Sequence, residues 1–252
     1  MNNVLSDDQV TAMRECGKIL SAAMKDVTRA VRPGISSFEL DQVAEKSIRK
    51  AGAEPSFKNY EVASIGYYPA SLCVSINSEI VHGIPSEDRI LQDGDLVSLD
   101  LGARYKGVCS DMAVTLPVGK VSDRARELVK VTKECLDRGI AAVVAGHKIG
   151  AIGAEIQKHA ESHGFGVVRD LVGHGVGVKP HMDPQIPNYG KKSDGPKIVE
   201  KMALAIEPMI TLGDYQIKTD PDDWTISTVD GSLAAHFEHT IIVVNGMAEV
   251  VT

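Results

Sequence analysis

The chain has 252 residues, of which 43% are hydrophobic and 24% charged, and its formal net charge is −7. This composition predicts a folded protein with a sizeable core, and it argues against intrinsic disorder and against general nucleic-acid binding. The four cysteines show neither CxxC nor zinc-finger spacing, which predicts reduced thiols. No apolar run approaches the ~20 residues of a membrane span, and the amino terminus lacks the pattern of a secretory signal, so we expect a cytoplasmic protein.

Apolar periodicity, capping residues and turn residues predict the elements of secondary structure. The segment from Asp95 to Asp100 alternates polar and apolar residues, which is typical of a strand. After it, Gly102 and Gly107 bracket a turn near Ala103–Lys106. In chain order, the predicted elements are helices over 6–31 and Ser37–Lys50, strands over Leu72–Ile76, Asp95–Asp100 and Val108–Val114, a helix over about 123–144, and strands over Val167–Val172, Met202–Ile206 and Thr240–Val244. Residues 187–197 are predicted to form an exposed loop, and residues 221–224 a turn.

A weak internal repeat relates the two helical regions. A shift of 112 positions (146 − 34) aligns Gly34 with Gly146, and it also aligns Gly52 with Gly164. Chance explains such a match as well, because two helices separated by a glycine are common. The alternative is a chain of two halves, each of which supplies two helices and then strands.

Asp100 and Asp111 are candidate metal ligands. If their strands form a hairpin, both carboxylates meet on one side of it, where they repel unless a cation lies between them. The simpler reading is that one or both face water or cap a turn. However, three more residues of ligand type lie in similar strand-like settings: His174 within Gly173–Gly177, Glu207 after an apolar run, and Glu238 before another.

The five residues together provide four carboxylates and one imidazole. Such an oxygen-rich set suits Mn, Fe, Co or Zn. It exceeds the three protein ligands of a typical catalytic zinc, whereas two ions with bridging carboxylates would use all five.

In this order and these local frames, the five residues resemble the metal-ligand signature of the methionine aminopeptidases. The frames also include His82 in Asn77–Pro85 and His181, seven positions after His174. The resemblance runs from about Thr11 to the carboxyl terminus and is to the short, bacterial type I class. It implies the pseudo-two-fold pita-bread fold, an α+β fold in which helices cover the outer face of a curved antiparallel sheet. Residues 1–252 would form a single catalytic domain with halves of about 1–120 and 121–252.

The resemblance also implies a role for each site residue. Asp100 would bind one divalent ion and His174 and Glu207 the other, while Asp111 and Glu238 would bridge them. Further implied roles are proton transfer by Glu207, a hydrogen bond from His82 to the scissile amide nitrogen, stabilisation of the substrate carbonyl by His181, and a methionine pocket lined by Tyr68, Cys73 and Trp224. Taken alone, each histidine and Cys73 would more simply be structural, but their local frames match the family.

The remaining histidines are predicted to lie outside the chemistry. His239 neighbours a ligand, and strand alternation should point it away from the metals. The others, which have no motif around them, are His147, His159, His163 and His236.

Three positions depart from patterns common in the family. They are Pro180, where many bacterial members carry Phe, and Val62 and Gly102, where some members carry Cys and Thr, respectively. None of the three is a metal ligand, so they affect only the expected shape of the pocket and the residues accepted at the second substrate position.

The implied activity is removal of the N-terminal methionine from nascent or newly synthesised chains whose second residue is small. We expect a monomer with no specific nucleic-acid or membrane partner, and a ribosome contact is left open. One alternative is an Xaa-Pro aminopeptidase or dipeptidase of the same fold, although such enzymes usually carry a large N-terminal domain for which this chain leaves no room. Another alternative is a non-catalytic binding module, although such modules typically lose metal ligands.

Overall fold

The structure, a computed structural model, describes residues 4–252 and contains four helices and seventeen strands within them. In chain order they are α1 (Asp7–Ala30), α2 (Ser37–Lys50), β1 (Glu54–Pro55), β2 (Glu61–Val62), β3 (Gly66–Tyr67), β4 (Leu72–Ile76), β5 (Glu79–Val81), β6 (Leu96–Tyr105), β7 (Val108–Pro117), α3 (Asp123–Ala141), α4 (Gly150–Ser162), β8 (Gly166–Val167), β9 (Gly173–Gly175), β10 (Met182–Ile186), β11 (Ala203–Ile206), β12 (Met209–Thr211), β13 (Ile217–Thr219), β14 (Ile226–Thr228), β15 (Ala234–His236), β16 (Glu238–Val244) and β17 (Met247–Val250).

Local side-chain hydrogen bonds fix where the first two helices begin. The Ser6 hydroxyl accepts a hydrogen bond from the Gln9 amide at 3.2 Å, and the Gln9 side chain accepts one from the Ser6 amide at 2.9 Å. Ser36 and Glu39 form the same reciprocal capping box before α2. The predicted helices are therefore confirmed, with ends that differ by at most three residues.

A nine-stranded sheet forms the centre of the molecule. Its strands follow the order β1-β6-β7-β16-β11-β9-β10, with β4 also paired to β6 and β17 to β16, and neighbouring strands are antiparallel. Helix α1 packs on α2, β6 and β7, and α3 packs on α4 and on β7, β11 and β16. The predicted α+β class is confirmed.

Strand β6 shows how the sheet separates core from site. Val97, Leu99 and Leu101 are fully buried and belong to the core that α1 and α2 cover. Because side chains alternate along a strand, Asp100 lies on the opposite face of the sheet. A second core lies between α3, α4 and the other strands, so two helix pairs support one sheet.

The glycines of the internal repeat have matching conformations. Gly34 and Gly146 have φ angles of 85° and 90°, and Gly52 and Gly164 have φ angles of 77° and 72°. A positive φ strongly favours glycine, so the same backbone requirement recurs after the first and second helix of each pair. This recurrence supports two related halves, and the division at about residue 120 stays a prediction.

Two predicted strand boundaries are wrong. Strand β6 continues through Gly102 to Tyr105, and the hairpin turns at Lys106 and Gly107, whose φ angles are 47° and 80°. Two consecutive positive φ angles are typical of a tight two-residue hairpin turn. Asp100 therefore lies mid-strand. Of the run predicted as a strand over Val167–Val172, only Val167 lies in β8. Residues 168–172 form a loop that leads into β9, in which Val168 is buried whereas Arg169 and Asp170 are exposed.

Candidate metal centre

Five neighbouring strands of the central sheet present the five predicted ligands at one place. The strands are β6, β7, β16, β11 and β9, in that spatial order. They carry Asp100, Asp111, Glu238, Glu207 (which directly follows β11) and His174. Residues separated by up to 138 positions (238 − 100) therefore meet because of strand order.

The register sets the spacing of the carboxylates. Asp111 pairs with Gly102, and Ala113 pairs with Asp100 on one side and with Glu238 on the other. Asp100, Ala113 and Glu238 thus form one row across three strands on one face, with Asp111 diagonal to Asp100. The small side chain of Ala113 leaves space between the two carboxylates of the row.

His174 is oriented by its own backbone surroundings. Its Nδ1 lies 3.0 Å from the carbonyl oxygen of Gly175, whereas its Nε2 lies 3.4 Å from Glu207 Oε1 and 4.0 Å from Glu238 Oε1. A hydrogen bond from Nδ1–H to the carbonyl leaves the Nε2 lone pair directed at the carboxylates, as in metal-binding histidines. Burial lowers the pKa of His174 to about 3, which keeps the imidazole neutral.

The glycines on either side of His174 allow close packing of three strands. A Cβ atom on Gly173 would lie 2.5 Å from the carbonyl oxygen of Ala205, and one on Gly175 would lie 2.2 Å from that of Asp183. Both contacts are with backbone atoms, which cannot move aside as a flexible side chain does. The two glycines are therefore required for β9 to lie between β10 and β11.

The four carboxylates are too close and too buried to be ionised without compensation. Burial raises the pKa of Asp100 to about 7 and that of Glu207 to about 8. Burial and then the neighbouring carboxylates hold the pKa of Asp111 and of Glu238 well above the usual range. This is the arrangement expected where divalent cations supply the missing positive charge.

Unsatisfied oxygens test whether a metal fits. Within residues 4–252, Asp100 Oδ1, Asp111 Oδ1 and Glu238 Oε1 are buried and have no hydrogen-bond partner. Buried polar atoms are normally paired, so these three oxygens are available to a ligand. The donor set of carboxylates and one neutral imidazole fits a divalent metal.

The ligand atoms fall into overlapping groups whose members lie within 4.8 Å of one another. One group is His174, Glu207 and Glu238, and another is Asp100, Asp111 and Glu238. Glu238 is common to both groups. Asp111 also groups with His174 and His181.

Neighbouring polar residues hold two of the ligands in place. The Thr240 hydroxyl accepts a hydrogen bond from the Asp111 amide at 2.8 Å and donates one to the Asp111 carbonyl at 2.9 Å. The Asn188 side-chain amide donates to the Glu207 carbonyl at 2.9 Å. The sequence analysis missed both, since each lies far along the chain from the ligand it contacts. Asn188 is fully buried although the loop over 187–197 was predicted to be exposed.

The prediction that His236 is an ordinary histidine is wrong. Its side chain is 1% exposed, and Nε2 lies 3.4 Å from Glu207 Oε2. Thr115 fixes the His236 backbone, because its hydroxyl donates to the His236 carbonyl and accepts from the His236 amide, both at 2.8 Å. His236 thus lies behind Glu207. The sequence offers one hint of this position, since His236 lies two residues before Glu238. His239, in contrast, contacts Thr252 outside the cavity, as the alternation predicts.

A cavity of about 290 Å³ opens in front of the carboxylates. Its lining includes the other five predicted site residues: His82, His181, Tyr68, Cys73 and Trp224. Burial lowers the pKa of His82 to about 4 and also lowers that of His181, so both imidazoles are neutral. The structure therefore brings all ten predicted site residues to one cavity, while their individual roles stay predictions.

Aromatic contacts shape the cavity. The rings of Tyr68 and Trp224 meet edge to face with centroids 5.2 Å apart, and the ring of Tyr60 lies 5.1 Å from that of His181. Phe57 and Tyr60 also line the cavity and were missed by the sequence analysis, because no motif marks them.

Two of the three departures from the family pattern lie at this cavity. Val62 lines it directly. A Cβ on Gly102 would lie 2.1 Å from Ser56 Oγ and 2.7 Å from Phe57 Cε1. Ser56 and Phe57 thus fill the space that a threonine at position 102 would occupy. Nothing in the contacts explains Pro180.

Comparisons with known proteins agree with this geometry. The chain matches the family model of metallopeptidase family M24 over residues 11–245. It is 45% identical over 249 residues to the methionine aminopeptidase of Clostridium acetobutylicum, covering 99% of this chain and 98% of the relative. It is also 45% identical over 240 residues to methionine aminopeptidase 1 of Bacillus subtilis, covering 95% and 94%.

Solved structures extend the comparison to the fold. The crystal structure of methionine aminopeptidase from Thermotoga maritima superposes with a TM-score of 0.96 at 40% identity, covering 100% of this chain and 99% of the other. Xaa-Pro dipeptidase from Bacillus anthracis gives 0.77 at 26% identity, and the match covers 62% of that chain. The predicted resemblance and the pita-bread fold are therefore confirmed.

Proposed function

The chain belongs to metallopeptidase family M24, and from this membership and the geometry of the cavity we propose that it is a methionine aminopeptidase. It removes the N-terminal methionine from newly synthesised chains whose second residue is small. The observation that carries the proposal is the set of three buried carboxylates, the largely buried Glu207 and one neutral imidazole at the wall of a cavity that contains two further neutral histidines.

The coverage of relatives favours this activity over cleavage of Xaa-Pro bonds. The match spans 98% of the Clostridium methionine aminopeptidase but 62% of the Bacillus Xaa-Pro dipeptidase. Identity is also lower for the dipeptidase, 26% against 45%.

We propose that the centre holds two divalent ions. Four carboxylates balance the charge of two such ions, and Glu238 belongs to both ligand groups. Asp100 lies in one group and His174 and Glu207 in the other, so Asp100 would hold one ion, His174 and Glu207 would hold the other, and Glu238 and Asp111 would be shared between them. When bound, the ions supply Lewis acidity that activates water and polarises the scissile carbonyl. Co, Mn, Fe and Zn all suit this ligand set.

The chain's own residues orient the substrate and move protons. His82, with a φ of 61°, projects a neutral imidazole into the cavity, where it hydrogen-bonds the scissile amide nitrogen. His181 stabilises the developing oxyanion of the carbonyl. The Glu207 carboxylate, which His236 contacts from behind, transfers a proton between water and the leaving amine.

The methionine side chain occupies the apolar part of the cavity. Tyr68, Trp224 and the Cys73 thiol line it, and a polarizable thioether packs well on aromatic edges and sulfur. Burial holds the pKa of Cys73 well above its usual range, so the thiol stays neutral and acts by packing.

The setting of the enzyme is also proposed. No helix within residues 4–252 is long and apolar enough to cross a membrane. We propose a cytoplasmic monomer with one catalytic domain, which acts on N-terminal methionine peptides and nascent chains.

A peptide panel tests the proposal. Wild-type and Asp111→Ala proteins would be reconstituted with Mn, Co, Fe or Zn and given Met-Ala-Ser, Met-Lys-Ser, Leu-Ala-Ser and Ala-Pro-Ser. We expect methionine to be released from Met-Ala-Ser only, and the variant to be inactive. Preferential cleavage of Ala-Pro-Ser would move the chain to the proline-directed branch of the family, and near-normal activity of Asp111→Ala would overturn the ligand assignment.

A further inference from the structure

A second group of potential metal ligands lies away from the catalytic cavity. Glu134 of α3, His159 of α4 and His163 directly after α4 each present a ligand atom within 4.8 Å of the other two. None of the three lines the catalytic cavity. No sequence motif marks either histidine, since Glu134 approaches them only through the packing of α3 on α4.

The two histidines lie four residues apart, which places them on the same face of α4. Their rings meet edge to face with centroids 4.7 Å apart. The spacing brings two imidazoles together at the surface, and the neighbouring helix adds a carboxylate.

The hydrogen bonds of His163 leave one ring nitrogen free for a ligand. Its Nδ1 lies 3.0 Å from the carbonyl oxygen of His159 and 3.2 Å from the hydroxyl of Ser162. Donation from Nδ1–H to a backbone carbonyl fixes the tautomer in which Nε2 carries a lone pair. Metal-binding histidines typically have this arrangement.

Glu134 offers a charged oxygen on the same side. Its Oε2 lies 2.8 Å from His159 Nε2, while its Oε1 lies 3.8 Å from the Lys130 ammonium. The hydrogen bond with His159 lowers the pKa of Glu134, so the carboxylate is ionised. The ligand atoms of a tetrahedral zinc ion are about 3.3 Å apart. In this group the ligand atoms of His159 and Glu134 are 2.8 Å apart, and all three lie within 4.8 Å of one another.

The partial exposure of the group suits a metal site with one coordination position that no protein ligand fills. The side chain of His159 is 10% exposed and that of Glu134 is 38% exposed. Three protein ligands at the surface leave the fourth position of a zinc ion to water. In a purely structural alternative, the His159–Glu134 hydrogen bond would join the helices and His163 would only cap the end of α4 through its Nδ1.

We propose that Glu134, His159 and His163 form a second metal site, which binds one zinc-like divalent ion through two imidazoles and a carboxylate and ties α4 to α3. The site is separate from the catalytic centre and does not depend on the aminopeptidase activity. Replacing His163 removes one ligand and preserves the His159–Glu134 hydrogen bond, which makes it the sharpest test.

Zinc content after equilibrium dialysis against zinc sulfate tests the proposal. Wild type, His163→Ala and the control His147→Ala would be compared by elemental analysis, since His147 is an exposed histidine outside the group. We expect His163→Ala to retain one zinc fewer per chain than wild type and His147→Ala to match wild type. Equal zinc content in wild type and His163→Ala would overturn the proposal.

Activity and a second variant check that the site is separate and correctly assembled. Cleavage of Met-Ala-Ser by His163→Ala is expected to equal that of wild type, and a loss in proportion to the lost zinc would overturn the separation from the catalytic centre. Glu134→Gln should weaken the same zinc at least tenfold in isothermal titration. An unchanged affinity would remove Glu134 from the site and with it the proposed link between the helices.

Discussion

Removal of the metal is expected to make the stability of the protein depend steeply on pH. Chelation leaves the four carboxylates of the centre buried without a compensating cation. Burial raises the pKa of Asp100 from 3.8 to about 7 and that of Glu207 from 4.5 to about 8. In the unfolded chain both groups return to their ordinary values, so the metal-free folded state binds protons more tightly than the unfolded state.

The sign and size of the effect follow from linkage. Because the folded pKa is the higher one, the stabilising contribution is complete below about pH 4 and is lost as the pH rises through 7 to 8. The free energy of unfolding changes by about 1.4 kcal/mol per pH unit for each proton. The stabilising contributions of Asp100 and of Glu207 therefore each fall by about 3 kcal/mol between pH 5 and pH 8. The free energy of unfolding of a typical domain is only ~5–15 kcal/mol, so the metal-free protein should be far less stable at pH 8 than at pH 5.

Urea unfolding followed by circular dichroism measures this directly. The chelator-treated protein would be unfolded at pH 5, 6, 7 and 8, with the metal-loaded protein beside it. We expect the metal-free stability to fall with pH and the metal-loaded stability to rise from pH 5, because cations bind the deprotonated carboxylates. Metal-free stability that is flat or rising over this range would refute the reasoning.

Two variants sharpen the measurement. Asp111→Asn removes one buried carboxylate, so the metal-free variant should be more stable than metal-free wild type at pH 8, although it binds metal poorly and is inactive. Asp123→Asn is the matched control, since the Asp123 side chain is 98% exposed and should leave the pH slope unchanged. A metal-free Asp111→Asn protein less stable than wild type at pH 8 would contradict the assignment of repulsion to this centre.

Three further outcomes are expected. His82→Ala should keep its metal content but lose most turnover of Met-Ala-Ser, and metal loss in elemental analysis would instead make His82 a ligand. His236→Leu should weaken metal binding about 10–100-fold in titration because it removes the contact behind Glu207. His236→Gln, which keeps a donor, should preserve most of the metal affinity. An equal loss of affinity in both variants would show that His236 has only a packing role. Gly102→Thr should lower stability by about 1–3 kcal/mol through its clash with Ser56 and Phe57, and urea midpoints equal to wild type would show that both residues move aside freely.

The helices were predictable because their signals are local. Ser6 and Ser36 cap α1 and α2 through residues three positions later, and the apolar stripe of each helix is present in the sequence itself. Gly52 ends α2 with a positive φ. Each of these features depends on a few neighbouring residues and is visible without knowledge of the fold.

The errors lie where distant parts of the chain decide the conformation. Gly102 resembles a turn residue, yet it lies within β6, where it pairs with Asp111, and its missing side chain leaves room for Ser56 and Phe57. The apolar residues Val168 and Val172 resemble a strand, but the contact with β12 ends at Val168, whose amide donates to the Met209 carbonyl at 3.1 Å, and the chain bends at Arg169 and Asp170. His236 lacked a recognisable motif, since its importance arises from Glu207, which lies 29 positions earlier (236 − 207).

The grouping of the five predicted ligands could be predicted from the sequence only in part. The resemblance to a family identified the residues, whereas the sheet order β6-β7-β16-β11-β9 explains why they meet. Neither periodicity nor spacing predicts that β16 lies between β7 and β11. Strand order depends on long-range pairing, which a single sequence does not display.

The glycines beside His174 affect how the chain tolerates sequence drift. Gly173 and Gly175 have no room for any side chain because the backbones of Ala205 and Asp183 are in the way, and this requirement belongs to the sheet rather than to catalysis. A descendant that lost its carboxylates and became a pseudoenzyme would still need both glycines in order to fold. The Gly-His-Gly segment therefore identifies the architecture, whereas on the proposed metal assignment Asp100, Asp111 and Glu238 would distinguish an active peptidase from an inactive relative.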